Sequence, residues 1–244
     1  MFQSLSGKKV VIVGAGSGID LAIAQKTAEL GASLVISSLQ SKLDQAIELF
    51  SEQVEAIAID NLNEDSAHAL FEQIGSFDHL VITTMPDRNM PRSLLAEMTT
   101  ETAQSVMEKF WGAFFAIRAG LKNIAQDGSI TLIASVSIFK PSKMGGISVI
   151  AAANGAVAVL GRTLAAELAP IRVNVIAPGL VEDTSVWSEQ SDSERSELTK
   201  WAKTALPVQH FGQADELAQA VLSLLMNPYI TGVILPVDGG LTVL

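Results

Sequence analysis

Short apolar runs and amphipathic stretches take turns along the whole chain. The run at residues 8–13 is followed by Gly14-Ala15-Gly16-Ser17-Gly18 and then by apolar side chains at helical spacing, Leu21, Ile23, Ala24 and Ala28. Gly31 stands where a helix C-cap glycine belongs. Leu34-Val35-Ile36 comes next, then an amphipathic stretch near 43–50, then Ala56-Ile57-Ala58-Ile59. A helix predicted over 64–74 leads into His79-Leu80-Val81-Ile82. The second half keeps the rhythm. Helices predicted over about 101–123 and 149–168 precede strands at 129–134 and 172–177. Pro178-Gly179 closes the latter strand and opens a polar stretch through Glu197, before a helix at 214–226 and a strand at 233–237.

Strand and helix in strict alternation predict an α/β fold, a Rossmann-type doubly wound parallel sheet of about seven strands with helices on both faces. Near-continuous apolar strands fit a sheet buried on both sides. No low-complexity tract or linker interrupts the 244 residues, so residues 1–244 read as a single domain.

Composition narrows the function classes. There is no cysteine, hence no disulfide framework, thiolate metal site or cysteine nucleophile, and no metal site is expected. A formal net charge of −10, with the basic residues scattered, argues against nucleic acid and anionic membranes as partners. No run reaches the roughly 18 apolar residues of a membrane span, and the first residues show no basic-then-apolar leader. A cytoplasmic location is the default expectation.

Gly14, Gly16 and Gly18 lie between a predicted strand and a predicted helix, the context in which a glycine loop cradles a pyrophosphate. Glycine lets the backbone approach the phosphates, and the helix behind it offers unpaired N–H groups and the positive end of its dipole. A tight strand-to-helix turn alone would also favour glycine, but the position in the first βα turn favours the dinucleotide reading. Gly14-Ala15-Gly16-Ser17-Gly18-Ile19 resembles the Thr-Gly-x-x-x-Gly-Ile-Gly loop of the short-chain dehydrogenase/reductase family. Phe77-Asp78-His79-Leu80-Val81 resembles that family's fourth-strand entry. The run from Ala165 to Gly179, ending Arg172-Val173-Asn174-Val175-Ile176-Ala177-Pro178-Gly179, is close to its sixth-strand signature. Ile230-Thr231-Gly232 and Val237-Asp238-Gly239-Gly240 match its C-terminal end.

The resemblance implies a small-molecule substrate, a nicotinamide cofactor and a homodimer or homotetramer. It places Gly14, Gly16, Ser17, Gly18 and Ile19 on the pyrophosphate, Ser38 near the adenosine ribose, Asp60 and Asn61 near the adenine, and Thr83 beside the cofactor ribose. Pro178, Gly179 and Thr184 would meet the nicotinamide end, and 186–204 would form a lid with Trp187 and Trp201 as apolar walls or as plain core covers. The second strand ends Ser37-Ser38-Leu39 without the acid that pairs with the ribose of NAD, so NADP is favoured over NAD. Small residues along 151–158 permit close helix–helix approach, where family members commonly pair.

Several positions depart from the family pattern. Val13 replaces the loop's threonine, Asp20 its last glycine, and Ile82-Thr83-Thr84-Met85 the family's Asn-Asn-Ala-Gly. An acid at Asp20 suits a helix start, yet a carboxylate facing the pyrophosphate would oppose it. The family's catalytic Tyr-x-x-x-Lys falls on Ile150 and Asn154, and the chain's single tyrosine, Tyr229, lies far along the sequence, where it is expected to pack structurally. Lys109 stands where the family has asparagine. Lysine and asparagine have thus exchanged places, unless Lys109 simply snorkels from a helix surface, the plainer reading. Ser135 fits the family's serine by its place after the strand and Ser137 by its spacing to Ile150; strand register favours Ser135, and either suits an ordinary turn. His68, His79 and His210 carry no hydrolase motif. Two readings follow: an NAD(P)-dependent oxidoreductase of carbonyls or secondary alcohols with a non-standard proton path through Lys109, Ser135, Ser137 or Asn154, and an inactive relative that binds a ligand or partner.

Overall fold

Apolar side chains on both faces of each strand demand a helix layer on each side of the sheet. In the computed structural model, which describes residues 4–14, 18–50, 54–85, 93–182 and 191–244, that demand is met. The strands are β1 (Lys9–Val13), β2 (Ser33–Ser38), β3 (Glu55–Ala58), β4 (Phe77–Ile82), β5 (Ile124–Ile133), β6 (Arg172–Pro178) and β7 (Ile234–Val237). The helices among the described residues are α1 (Ile19–Glu29), α2 (Gln40–Ile47), α3 (Glu64–Ile74), α4 (Thr100–Gly120), α5 (Ile147–Glu167), α6 (Asp192–Ala205) and α7 (Ala214–Met226). The strand order is β3-β2-β1-β4-β5-β6-β7, and every pairing is parallel. This is the doubly wound Rossmann-type sheet expected from the alternation.

The strand period of two sorts the core into two layers. Val11, Val13, Leu80, Ile82, Ile130, Leu132, Val173 and Val175 face α3, α4 and α5, meeting Leu70, Phe71, Ala113, Ile117 and Val157. Val10, Ile12, Ile36, Val81 and Ile176 face the other way, toward Ile23 of α1, Leu43 of α2 and Leu217 and Val221 of α7. α5 packs against the sheet at Gly161, where there is no room for a side chain: a Cβ there would lie 2.6 Å from Val175 Cγ2 and 2.9 Å from Leu132 Cδ1. By length and composition α5 is apolar enough to cross a membrane. In this fold one face lies on β5 and β6 and carries the buried Val157, Ala158 and Leu164.

Several expectations need correction. The polar stretch after Gly179 is not a loop through Glu197; α6 begins at Asp192. Its start is marked by a reciprocal capping box, the Ser191 hydroxyl accepting from Glu194 N–H while the Glu194 carboxylate accepts from Ser191 N–H. The apolar content that holds α6 is thin, Leu198, Ala202 and Leu206 around Phe211, which is why periodicity did not reveal it. β5 begins at Ile124, because Ile124 pairs with Phe77 ahead of a register shift. Asp60, which the family resemblance places at the end of the third strand, lies beyond it, since β3 ends at Ala58. Tyr229 does not pack: it is 98 % exposed, since the buried Leu224 and Leu225 and the partly buried Ile230 fill the core around this turn.

The order of strands reverses between β1 and β4. Chain connections leave β1 toward β2 and β3, then return to the other side of the sheet at β4. A crevice therefore opens past the C-terminal ends of β1 and β4, the place where doubly wound sheets take ligands.

Candidate active site

Three elements converge on that crevice: the loop from β1 into α1, the segment after β4, and α4. Gly14 holds φ +103°, and a Cβ on it would lie 2.9 Å from both Thr83 Oγ1 and Thr84 N, so glycine is dictated here by the approach of the β4 segment. Gly16 and Ser17 lie outside the described residues. α1 starts at Gly18, φ 56°, without a side-chain cap. The N–H groups of Ile19, Asp20 and Leu21 consequently have no partner within the helix, which begins with Ala22 N–H to the Gly18 carbonyl at 3.1 Å. An uncapped helix start at a sheet switch point suits an anionic group.

Ser38 is buried at the end of β2. Asp60 is exposed, and its Oδ1 accepts from Leu62 N–H at 2.9 Å. Its neighbour Asn61 keeps a buried Oδ1 without a protein partner, and its carbonyl lies near Gly112 of α4. At the other end of the crevice β6 closes on Pro178 and Gly179; Gly179 N–H donates to the Val237 carbonyl at 3.0 Å, and a Cβ there would meet Asp238 Cα at 2.7 Å. Thr184 and Trp187 lie outside the described residues. Trp201 is 39 % exposed, and its ring lies tilted at 33° with its centroid 6.3 Å from that of Phe211, which makes it a cover for the small α6 core.

Lys109 does not snorkel. It is 5 % exposed, and its ammonium donates to the Thr84 carbonyl at 3.3 Å and to Met85 Sδ at 3.4 Å. The return contact is made by Thr84, whose hydroxyl donates to the Lys109 carbonyl at 3.4 Å. One helical turn on, Gly112 lets Thr84 pack against α4, since a Cβ there would touch Thr84 Cβ and Cγ2 at 3.4 Å. Burial lowers the Lys109 pKa to about 8, and the negative charge of Asp20 opposes the fall. Asp20, half-buried in the first turn of α1, is the counterpart. Burial raises its pKa to about 7, against the Thr83 hydroxyl and the charges of Lys109 and Lys42. Thr83 itself is fixed by Val13, whose carbonyl accepts its N–H at 2.9 Å and its hydroxyl at 3.2 Å.

β5 and α5 supply the remaining polar groups. Ser135 caps a 3₁₀ turn at Val136–Ile138, its Oγ accepting from Ser137 N–H at 3.2 Å. Ser137 Oγ is, with Thr27 Oγ1 and Thr131 Oγ1, one of the described buried hydroxyls without a protein partner. On α5, Ile150 packs with Val106 and Ala153, and Asn154 donates from Nδ2 to the Ile150 carbonyl at 2.8 Å while its buried Oδ1 stays unpaired. Lys109 lies three residues after Val106, and Asn154 four after Ile150. The two therefore stand one turn beyond the same helix contact.

The histidines serve elsewhere. His79 Nδ1 meets Ser129 Oγ at 2.9 Å in the core, and burial lowers its pKa to about 4. His68 sits beside Glu64 on the surface, and the His210 ring meets the Phe211 carbonyl at 2.7 Å. Among the described residues no cluster of histidine and carboxylate side chains could hold a metal. Sequence reasoning missed the link between Asp20 and Lys109. The available signal was that two departures from the family pattern carry opposite charges.

A doubly wound parallel sheet, an uncapped glycine-loop helix and buried polar side chains at the switch point define a Rossmann-type protein, and the chain belongs to the short-chain dehydrogenase/reductase family. Residues 14–242 match the family model described as enoyl-(acyl carrier protein) reductase. The chain is 32 % identical to a 3-oxoacyl-[acyl-carrier-protein] reductase of Bos taurus, covering 96 % of this chain and 98 % of that one. It is 30 % identical to carbonyl reductase family member 4 of Xenopus laevis, with the same coverage. Among solved structures it is similar to a small-chain dehydrogenase in complex with NADPH, at 30 % identity and TM-score 0.78 over 97 % of this chain and 99 % of that one.

Proposed function

We propose that the protein is an NADP(H)-dependent oxidoreductase that interconverts a carbonyl and a secondary alcohol, with NAD(H) the less favoured cofactor and Lys109 in the proton path. The observation that carries this reading is the buried Lys109 ammonium at the switch-point crevice, on a chain whose family is one of oxidoreductases. A dinucleotide fits the residues present. The α1 start is open to an anion, and the unpaired oxygens of Asn61, Ser137 and Asn154 await polar partners at the crevice. Ser38, with no acid at the end of β2, and the NADPH of a 30 % identical relative favour the phosphorylated cofactor. Asp20 is the one group that opposes it. Two of the relatives named are a 3-oxoacyl-[acyl-carrier-protein] reductase and a carbonyl reductase family member, and the oxo group common to those names supports a carbonyl as the substrate class.

When bound, the reduced cofactor supplies a hydride to the carbonyl carbon. Lys109 Nζ gives a proton to the oxygen: its N–H bond breaks, an O–H bond forms, and a neutral amine remains to be reprotonated from water. A lysine with a pKa of about 8 is charged at neutral pH and acidic enough to serve as a general acid. Ser137 or Ser135 hydroxyls orient the oxygen, and Asn154 Oδ1 accepts from a bound hydroxyl or water. Calorimetric titration with NADPH and NADH tests binding. Carbonyl-dependent NADPH oxidation, reduced about 10²-fold or more in Lys109→Met, tests the proton path. No binding of either dinucleotide by the folded protein would replace this reading with that of a ligand- or partner-binding relative. Assembly as a homodimer or homotetramer is part of the proposal; exposed Trp111 and Val159 on α4 and α5, with Phe110, Phe114 and Phe115 beside Trp111, support it.

A further inference from the structure

We propose that the substrate is a carbonyl compound with a long, uncharged apolar substituent, which lies along an apolar wall running from Ile150 outward to Met144 and Leu95 at the crevice mouth. The inference rests on the reading of the crevice as an oxidoreductase site and names the kind of carbonyl that the site takes.

In a parallel sheet each crossover helix begins at the edge where the strand before it ends. The first turns of α4 and α5 therefore stand at the crevice mouth, and Lys109 and Asn154 lie deeper along the two helices. One turn nearer the mouth, the corresponding positions are Val106 and Ile150, buried together with Ala153. Met107, Ile147 and Val149 extend this apolar cluster. Ile147 opens α5, and its N–H donates to the Met144 carbonyl at 3.4 Å. Gly146 N–H donates to the Ser93 carbonyl at 2.8 Å, which fastens the segment after β4, with Leu95, to the segment that carries Met144. A second tie is made by Lys140, whose ammonium donates to the Leu244 carbonyl at 2.6 Å. It brings the segment after β7, with Val243, to the turn that carries Phe139.

These fastened segments leave large apolar side chains in water. Leu95 is 69 % exposed, Met144 64 %, Val243 79 % and Phe139 44 %. Single exposed apolar residues are ordinary, but several on neighbouring segments at one edge mark a binding surface. Its position fixes the occupant. The segments follow the C-terminal ends of β4, β5 and β7, the edge at which doubly wound sheets take ligands. The rim continues inward, through Ile147 and Ile150, to the polar groups of the site. Those groups are confined to the inner end: the Lys109 ammonium and the unpaired Ser137 Oγ and Asn154 Oδ1. Between them and the rim, Val106, Ile147, Val149 and Ile150 offer no side-chain donor or acceptor. A sugar would leave its hydroxyls unpaired along this wall, whereas an alkyl chain loses nothing and gains burial. The wall also gives Ile150 a purpose. A phenol at that position would interrupt the apolar surface with a hydroxyl, and the aliphatic side chain carries it down to the turn of Asn154.

The test uses straight-chain methyl ketones of about four to ten carbons, because each methylene buried against the wall adds a roughly constant increment. Glucose serves as the polyhydroxylated comparison. The neutral dye N-phenylnaphthylamine reports apolar binding by its fluorescence, whether or not turnover occurs, and each ketone is scored by its displacement of the dye with and without NADP. NADPH oxidation is followed in parallel. Both apparent affinity and kcat/KM are expected to rise about twofold to fourfold per methylene, and glucose should neither displace the dye nor oxidise NADPH. Met144→Ser and Leu95→Ser alter exposed positions that the fold does not depend on, and together they should flatten the rise at the long end of the series. Leu49→Ser, an exposed apolar residue after α2, should keep the parent slope. A series flat in both assays, or a slope that the paired Met144 and Leu95 substitutions leave unchanged, overturns the wall. A slope in dye displacement that those substitutions abolish, without NADPH oxidation by any ketone, keeps the apolar site and sinks the oxidoreductase reading. Ketone-dependent turnover indifferent to chain length does the reverse.

Discussion

Removing Lys109 should change how stability depends on pH more than it changes stability at neutral pH. The Asp20 carboxyl has its pKa raised from 3.8 to about 7, chiefly by burial. Below pH 3.8 folded and unfolded chains both hold the proton. Between 3.8 and about 7 only the folded chain does, so stability is lost as pH rises through this window. Each unit corresponds to about 1.4 kcal/mol, which makes the loss about 4 kcal/mol by neutral pH. In the parent protein the decline then levels off. Lys109 acts with the opposite sign: burial lowers its pKa from 10.5 to about 8, so stability is regained between about 8 and 10.5, where the unfolded chain alone holds the proton. Lys109→Met removes the levelling and the recovery. Without the opposing cation the Asp20 pKa rises above 7, the decline continues past neutrality, and the alkaline recovery disappears. Urea unfolding of both proteins at fixed concentration, repeated from about pH 6 to about pH 9, should give stabilities that lie closest at the acid end. They should then diverge by up to about 1.4 kcal/mol per unit between pH 7 and 8, and by up to about 3 kcal/mol per unit above pH 8, where the parent also recovers. Curves that stay parallel between pH 7 and 8, below the window in which Lys109 itself titrates, would refute the coupling of these two side chains.

Other expectations follow from single contacts. Asp20→Gly should tighten dinucleotide binding in calorimetry by removing a carboxylate from the start of α1, and an unchanged affinity would mean that it faces away from the phosphates. Gly161→Ala should destabilise the fold by about 1–3 kcal/mol in denaturant titration, because α5 must lift off Val175 and Leu132. Arg172→Met should cost about 3 kcal/mol or more: the buried guanidinium donates to the carbonyls of Leu224, Leu225 and Ile230, and the substitution removes these bonds, leaving Ile230 only its bond from Asn174 Nδ2. Light scattering should report a dimer or tetramer, with Trp111→Lys shifting it toward monomer; a parent protein that is monomeric at working concentration would end that expectation.

The sequence by itself determined the architecture and the family. Apolar runs with period two and helices with one apolar stripe leave a chain little choice but a covered parallel sheet, and two helices, Glu64–Ile74 and Ala214–Met226, have the bounds that their periodicity predicts. The glycine loop was legible because backbone conformation is written locally: Gly14 and Gly18 hold positive φ in a turn between strand and helix. The site's chemistry was only half legible. The absence of a tyrosine at Ile150 and the lysine at position 109 could be read from the chain, but not whether that lysine faced water or the crevice. Helix spacing around Lys109 is ambiguous, since Phe110, Trp111 and Phe114 point to a face that the structure leaves partly exposed, while Lys109 is inside. Tyr229 shows the same limit from the other side, an aromatic residue that the fold leaves in solvent. Only the tertiary structure brought Asp20 toward Lys109, 89 positions later in the sequence. Burial and charge pairing depend on which elements the crossover connections lay side by side. That is a property of the sheet order at β1 and β4, and no local pattern of residues records it.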